Sequence, residues 1–304
     1  MTTSHALCPR SLADVQSSSS ELQDIALDWV GMEQIDLPLE FEGRPVNARV
    51  DAGINLLNNE MAAKGIHMSR LYMLLDSLTE GEVTPQRVHD VLSAFLSSHP
   101  GQSNDASLAI RGDLLLSRKS LNSSQSGWKA YPVSLTARAG KTDEINMKVG
   151  IPYASTCPAS AALSRQVAQL AFRNAFGQRL DRLPLEEVVS WLGEQGLPAT
   201  PHSQRSWAWI EVKLKPECSA FPFRHLIDRC ELALGTAVQT AVKRSDEQAF
   251  ALACGQNLMF CEDAARRLYQ ALQKETEFSS FDIRVEHQES LHAHNAVAKV
   301  SRKE

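Results

Sequence analysis

The chain has 304 residues, 43% of them hydrophobic and 22% charged, with a formal net charge of -5. That length supports one large or two medium domains with real cores, at the balance usual for soluble globular proteins. The mild acidity and the lack of a long Lys/Arg run exclude a general nucleic-acid binder, and no apolar run approaches the ~18 residues of a membrane span.

The opening stretch, "MTTSHALCPRSLADVQSSSS", is polar and Ser-rich. It lacks the basic-then-apolar pattern of a signal peptide, so residues 1–25 read as a disordered tail and the protein as cytoplasmic. From residue 26 to 150 the pattern is strand, strand, helix, helix, strand, strand. Residues 35–56 alternate apolar and polar positions around a Gly-Arg-Pro turn and predict a hairpin. Residues 69–81 carry Leu71, Met73, Leu74, Leu75 and Leu78 at helical spacing, and Gly81 ends the run. Residues 84–99 open on a Thr cap with Pro in the first turn and set Val88, Val91, Leu92, Phe95 and Leu96 on one face. Strand stretches at 106–120 and 128–155 follow, the second folding back near Ala139–Gly140.

Residues 151–304 repeat that order with an interruption. Helical stretches at 165–180 and 184–196 form an insertion of about 164–197. A strand at 202–216 and helices at 222–235 and 256–275 come next, and residues 278–301 read as a closing pair of strands. The expectation is two related α+β units, each an antiparallel sheet carrying two helices.

Side chains able to do chemistry cluster in a few places. "STCPAS" holds Cys157, "HSQRS" holds His202 and Arg205, "KRSDEQ" holds Lys243 and Glu247, and "FCEDAARR" holds Glu262. "EHQESLHAHNAVAKV" near the C-terminus adds Glu289, His292 and His294. Each has a plain structural reading. The six cysteines have no framework spacing and suit small buried hydrophobes, "KRSDE" suits a solvated turn, and Glu262–Asp263 before Arg266–Arg267 suits helix ion pairs. On a strand, His292 and His294 face the same way because side chains alternate. The functional reading is a thiolate, imidazole and carboxylate set suited to zinc or a similar divalent ion, with further acid–base groups around it. The spacing matches no short metal motif.

The segments "LDWVGMEQIDLPL", "KGIHMSRLY", "STCPAS", "HSQRS", "KRSDEQAF", "MFCEDAARRL" and "RVEHQESLHAHNAVA" occur in the order and surroundings of the type IB GTP cyclohydrolases, which the chain resembles over residues 26–300. The resemblance implies an α+β tunnelling fold, with two tandem ββααββ units at 26–150 and 151–304. It implies a homotetramer whose active sites lie at subunit interfaces. The implied reaction turns GTP and water into formate and 7,8-dihydroneopterin triphosphate, on the way to tetrahydrofolate and, in bacteria with that pathway, queuosine.

Residue by residue, Cys157 matches the family's metal-binding and catalytic cysteine. His202 and Glu247 match the histidine and carboxylate near the metal, zinc or manganese. Glu262 matches the glutamate that anchors the purine edge. Glu289, His292 and His294 match the catalytic cluster lining the pocket, in which His287 is expected at the surface. Arg70, Arg205 and Lys243 stand as cations for the triphosphate by motif proximity. The family reads Cys-Pro-Cys where this chain has Ala159, so any role of that second cysteine is absent. The rival readings are another tunnelling-fold pterin or deazapurine enzyme of the queuosine pathway, and a non-catalytic metal-binding oligomer.

Overall fold

The computed structural model describes residues 14, 16, 25–58, 64–179 and 182–303. Apart from Asp14, Gln16 and Ile25, the expected N-terminal tail lies outside the described residues. The fold is mixed α/β, with eight strands and seven α-helices among the described residues. Within each unit neighbouring strands pair antiparallel in chain order. Two compact units divide the chain: Met1–Gly112 with Leu135–Ile145, and Asp113–Ser134 with Asn146–Glu304.

In the first unit β1 (Leu27–Phe41) and β2 (Arg44–Leu56) form the expected hairpin. Its two-residue turn, Glu42 and Gly43, has positive φ at both positions, matching the twist of the strands. Strand alternation sends Leu37, Leu39, Phe41, Val46, Ala48 and Val50 into the core. In the same unit α1 (Met68–Asp76) buries Leu71 and Leu75, while Met73 is exposed. In α2 (Pro85–Ser97) Thr84 is the N-cap, its hydroxyl accepting from Arg87 N–H, and Val88, Val91, Leu92 and Phe95 are buried. Strand β3 (Ala106–Lys119) pairs antiparallel with β2, and β4 (Ser126–Ala139) follows it.

In the second unit β5 (Glu144–Thr156), β6 (Ser203–Leu214), β7 (Phe278–His287) and β8 (Ala296–Arg302) pair antiparallel in turn. Their buried rows include Val149, Ile151, Ala208, Ile210, Ile283 and Val285. Two helices of this unit, α5 (Phe223–Leu234) and α7 (Cys261–Leu272), bury Leu226, Ile227, Cys230, Ala264, Leu268 and Leu272. The insertion between β5 and β6 is a pair of helices, α3 (Pro158–Phe176) and α4 (Leu185–Gln195).

Three expectations are corrected here. "KRSDEQ" is not a turn but opens a further helix, α6 (Arg244–Gln256). Asp246 makes that start possible: its buried carboxylate accepts from the backbone N–H of Lys243, Asn122 and Ser123 and from the Ser123 hydroxyl. The Ser123 hydroxyl above all holds its pKa far below the ordinary carboxylate range. The insertion starts at Pro158 rather than near 164, because Cys157 is the N-cap and proline suits the first helical position. Residues 288–295 are a loop between β7 and β8, so Glu289, His292 and His294 do not ride on a strand.

Candidate active site

Cys157 sits where β5 runs into α3, and its half-buried thiol accepts from Ser160 N–H at 3.5 Å. The adjoining backbone brings in His202. Cys157 N–H donates to the His202 carbonyl at 3.2 Å, and His202 N–H donates to Ser160 Oγ at 3.1 Å. Two residues far apart in sequence are thereby clamped at the mouth of the helical insertion.

Two acceptors converge on one nitrogen of His202. Gln204 Oε1 lies 3.0 Å from His202 Nδ1, and Glu289 Oε2 lies 3.5 Å from it. A carboxylate accepts and cannot donate, so the proton belongs on Nδ1. Gln204 is oriented from its other end, where Nε2 donates to Ser155 Oγ at 2.8 Å. Ser155 Oγ is in turn 2.8 Å from Ser206 Oγ, both buried. The chain Ser206–Ser155–Gln204–His202 therefore sets a tautomer whose Nε2 carries a lone pair for a metal or a proton. Gln204, Ser155 and Ser206 were not singled out in the sequence. The available signal was strand alternation, which places 204 and 206 on the face of residue 202, and cross-strand register, which sets Ser155 opposite Gln204.

Glu262 lies in the first turn of α7, exposed, where its carboxylate accepts from the Cys261 thiol at 3.3 Å. Burial, reinforced by Glu262, pushes the Cys261 thiol up to about 11. His287, expected at the surface, is 3% exposed and sits 2.8 Å from the Tyr153 hydroxyl. Burial lowers its pKa to about 4 against the pull of Glu262, so the ring is neutral at cellular pH. Burial also raises Tyr153, keeping the phenol protonated and able to donate to the ring. His287 ends β7, and its inward side follows from the pleat, a signal that reading the segment as one undivided run obscured.

The remaining expected residues fall into separate groups. His292 and His294 stack on the β7–β8 loop, ring centroids 4.9 Å apart, both exposed. Arg205 and Glu247 line one cavity of about 430 Å³ together with Gln204 and Asp246. Lys243 is exposed at the start of α6. Arg70 belongs to the first unit, on α1, where its guanidinium donates to the Ser98 carbonyl at 2.9 Å.

A divalent ion is tested by these donors. Cys157 sulfur and His202 Nε2 are of the types that suit zinc, and they stand on clamped backbones. Glu247 is not gathered with them: among the described residues no three His, Cys, Asp or Glu side chains come close enough to hold a metal. In the single chain the expected set of three is thus reduced to Cys157 and His202, whose backbones are hydrogen-bonded.

A thiol beside the backbone of an oriented imidazole, with one carboxylate on that imidazole, is equipment suited to acid–base chemistry in an α/β protein. Comparison with known proteins makes this particular. The profile of the family described as type I GTP cyclohydrolase folE2 matches residues 12–298. A GTP cyclohydrolase FolE2 of Klebsiella pneumoniae is 63% identical over 289 residues, covering 95% of this chain and 97% of that protein. The protein of the same name from Serratia proteamaculans is 57% identical over 290 residues, covering 95% and 94%. That of Pseudomonas putida is 49% identical over 284 residues, covering 93% of each. The chain belongs to the type I GTP cyclohydrolase folE2 family. Among solved structures, a uricase from Arthrobacter globiformis covers 91% of this chain and 94% of that one at 6% identity and a TM-score of 0.48, too distant to bear on the reaction.

Proposed function

We propose that this protein is a GTP cyclohydrolase of folate biosynthesis, of the type IB subgroup, which hydrolyses GTP at C8 to formate and 7,8-dihydroneopterin triphosphate. The observation that carries the reading is the pairing of Cys157 with an His202 whose Nδ1 proton is held by Gln204 and Glu289. In this proposal the fold is a tunnelling fold of two tandem units, 26–150 and 151–304, and four copies assemble with active sites at their interfaces. The protein works in the cytoplasm; no helix among the described residues is long and apolar enough to cross a membrane.

Cys157 and His202 would hold zinc or manganese, with Glu247 as the carboxylate proposed to complete the set. Such an ion, when bound, lowers the pKa of a water and makes hydroxide usable near pH 7. The chain's own residues do the rest. Glu289 and Gln204 keep His202 in one tautomer and one orientation. The stacked pair His292 and His294 offers an imidazolium to guanine N7, and protonation there makes C8 more electrophilic.

Glu262 accepts from guanine N1–H and the 2-amino group. Adenine presents neither donor and leaves that carboxylate unpaired, a mismatch that can cost a factor of ~10⁴. Arg205, Lys243 and Arg70 are proposed for the triphosphate, Arg205 being the one that lines the 430 Å³ cavity with Glu247.

Formate release and pterin fluorescence after oxidation, measured with GTP in zinc-loaded, manganese-loaded and metal-free protein, test the proposal. Equimolar formate and pterin with either metal, and neither product from ATP, are expected. No formate from GTP under any metal condition overturns it.

A further inference from the structure

The helical insertion buries almost nothing within its own chain. Across the 19 residues of α3 only Ala161 and Phe176 are buried, and α4 buries none of its 11. Helices owe most of their stability in proteins to burying an apolar face, so two helices left this bare lack a covering. The insertion does hold itself together on one side, where Phe172 and Phe176 pack edge-on to Trp191 at 5.5 and 5.8 Å.

Each helix carries a second apolar stripe. On α3 it is Leu163, Val167 and Leu170, spaced i, i+4, i+7; on α4 it is Leu185, Val189 and Leu192, with the same spacing. All six are exposed, Leu163 at 62% and Leu185 at 73%. At about 100° per residue, the α3 stripe lies on the side of the helix opposite Phe172 and Phe176. It is therefore not covered by α4. Exposed apolar rows of this extent mark an interaction surface.

Charge selects the occupant. Helix α3 carries Arg165 and Arg173 and no acid, while α4 carries Glu186, Glu187 and Glu194 and no base. Arg173 borders the α3 stripe and Glu186 borders the α4 stripe. The α3 stripe turns away from α4, and the α4 stripe lies about 130° around its own helix from Trp191, so α3 of one copy meets α4 of the next head-to-tail, matching stripe to stripe and Arg173 to Glu186 once per contact. We infer that the α3–α4 hairpin is an interface between copies of this chain, with the α3 stripe of one copy covered by the α4 stripe of its partner. This deepens the assembly part of the proposed function and rests on it, but not on the reaction.

The test compares the mass in solution of the full-length protein and its variants by light scattering, with circular dichroism as the check of folding. The wild type is expected to be an oligomer. Leu163→Glu with Leu170→Glu is expected to at least halve the mass. Arg173→Glu alone and Glu186→Arg alone are each expected to lower it at low concentration, and the two together to restore it. A folded stripe variant of unchanged mass overturns the interface while leaving the oligomer intact. If the stripe variant does not fold, failure of the charge exchange to restore the mass overturns the interface instead. A monomeric wild type overturns both the interface and the assembly.

Discussion

His202 Nδ1 stands 3.5 Å from Glu289 Oε2, a contact between the start of β6 and the β7–β8 loop that assigns the imidazole its tautomer. On the proposed reading Glu289 positions His202 through this contact. Glu289→Leu removes the second acceptor on Nδ1, the carboxylate that rules out the other tautomer, and leaves Gln204 alone to hold the proton. Formate release should fall about 10- to 100-fold, the usual effect of losing such an outer partner. The pH profile should shift along with it, which a purely structural loss would not produce. Gln204→Ala should act in the same direction, and an unchanged rate and profile in both variants would remove the relay.

Cys157→Ala removes the sulfur from the α3 N-cap. Formate release should drop below detection and bound zinc, measured by elemental analysis, should fall with it. Normal turnover would sink the metal assignment. Ala159 predicts that no second thiol substitutes for it.

Glu262→Gln should raise the KM or Kd for GTP strongly, because an amide cannot accept from both N1–H and the 2-amino group. Metal content should stay at the wild-type level. Loss of metal in this variant would mean that Glu262 and Glu247 have exchanged roles.

His287 makes stability depend on pH. Its pKa is about 4 in the folded protein, lowered by burial from the ordinary 6.5. Between those values the unfolded chain binds a proton that the folded chain does not, so stability falls as pH drops from about 6.5 towards 4. The loss approaches roughly 3 kcal/mol at the acid end, at about 1.4 kcal/mol per pKa unit. Urea unfolding at pH 7 and pH 5 measures it. In His287→Gln the difference between those two pH values should shrink, and an equal difference in both proteins would contradict the assignment.

Much of this molecule was legible from local pattern. The hairpin around Gly43, the capped helix at Thr84 and the inward rows of β5 and β6 follow from period, turn chemistry and capping, which act over a few residues. The start of α6 was not legible, since "KRSDEQ" becomes helical through Asp246 bonding to Asn122 and Ser123, more than 120 residues away. His287 was misplaced for a related reason: its neighbours Gln288, Glu289 and Ser290 are polar, and only the pairing of β6 with β7 shows that it closes a strand over Tyr153.

The same division holds at the site. Residue types and motif order determined by themselves which thiol, imidazoles and carboxylates to watch, because that chemistry belongs to the side chain. Tertiary structure decided which of them meet. It set Cys157 and His202 on clamped backbones, gave His202 its tautomer through Gln204 and Glu289, and left Glu247 on another element. Proton position and ligand grouping depend on distances of a few ångströms between segments 45 to 90 residues apart, and no local pattern encodes such distances.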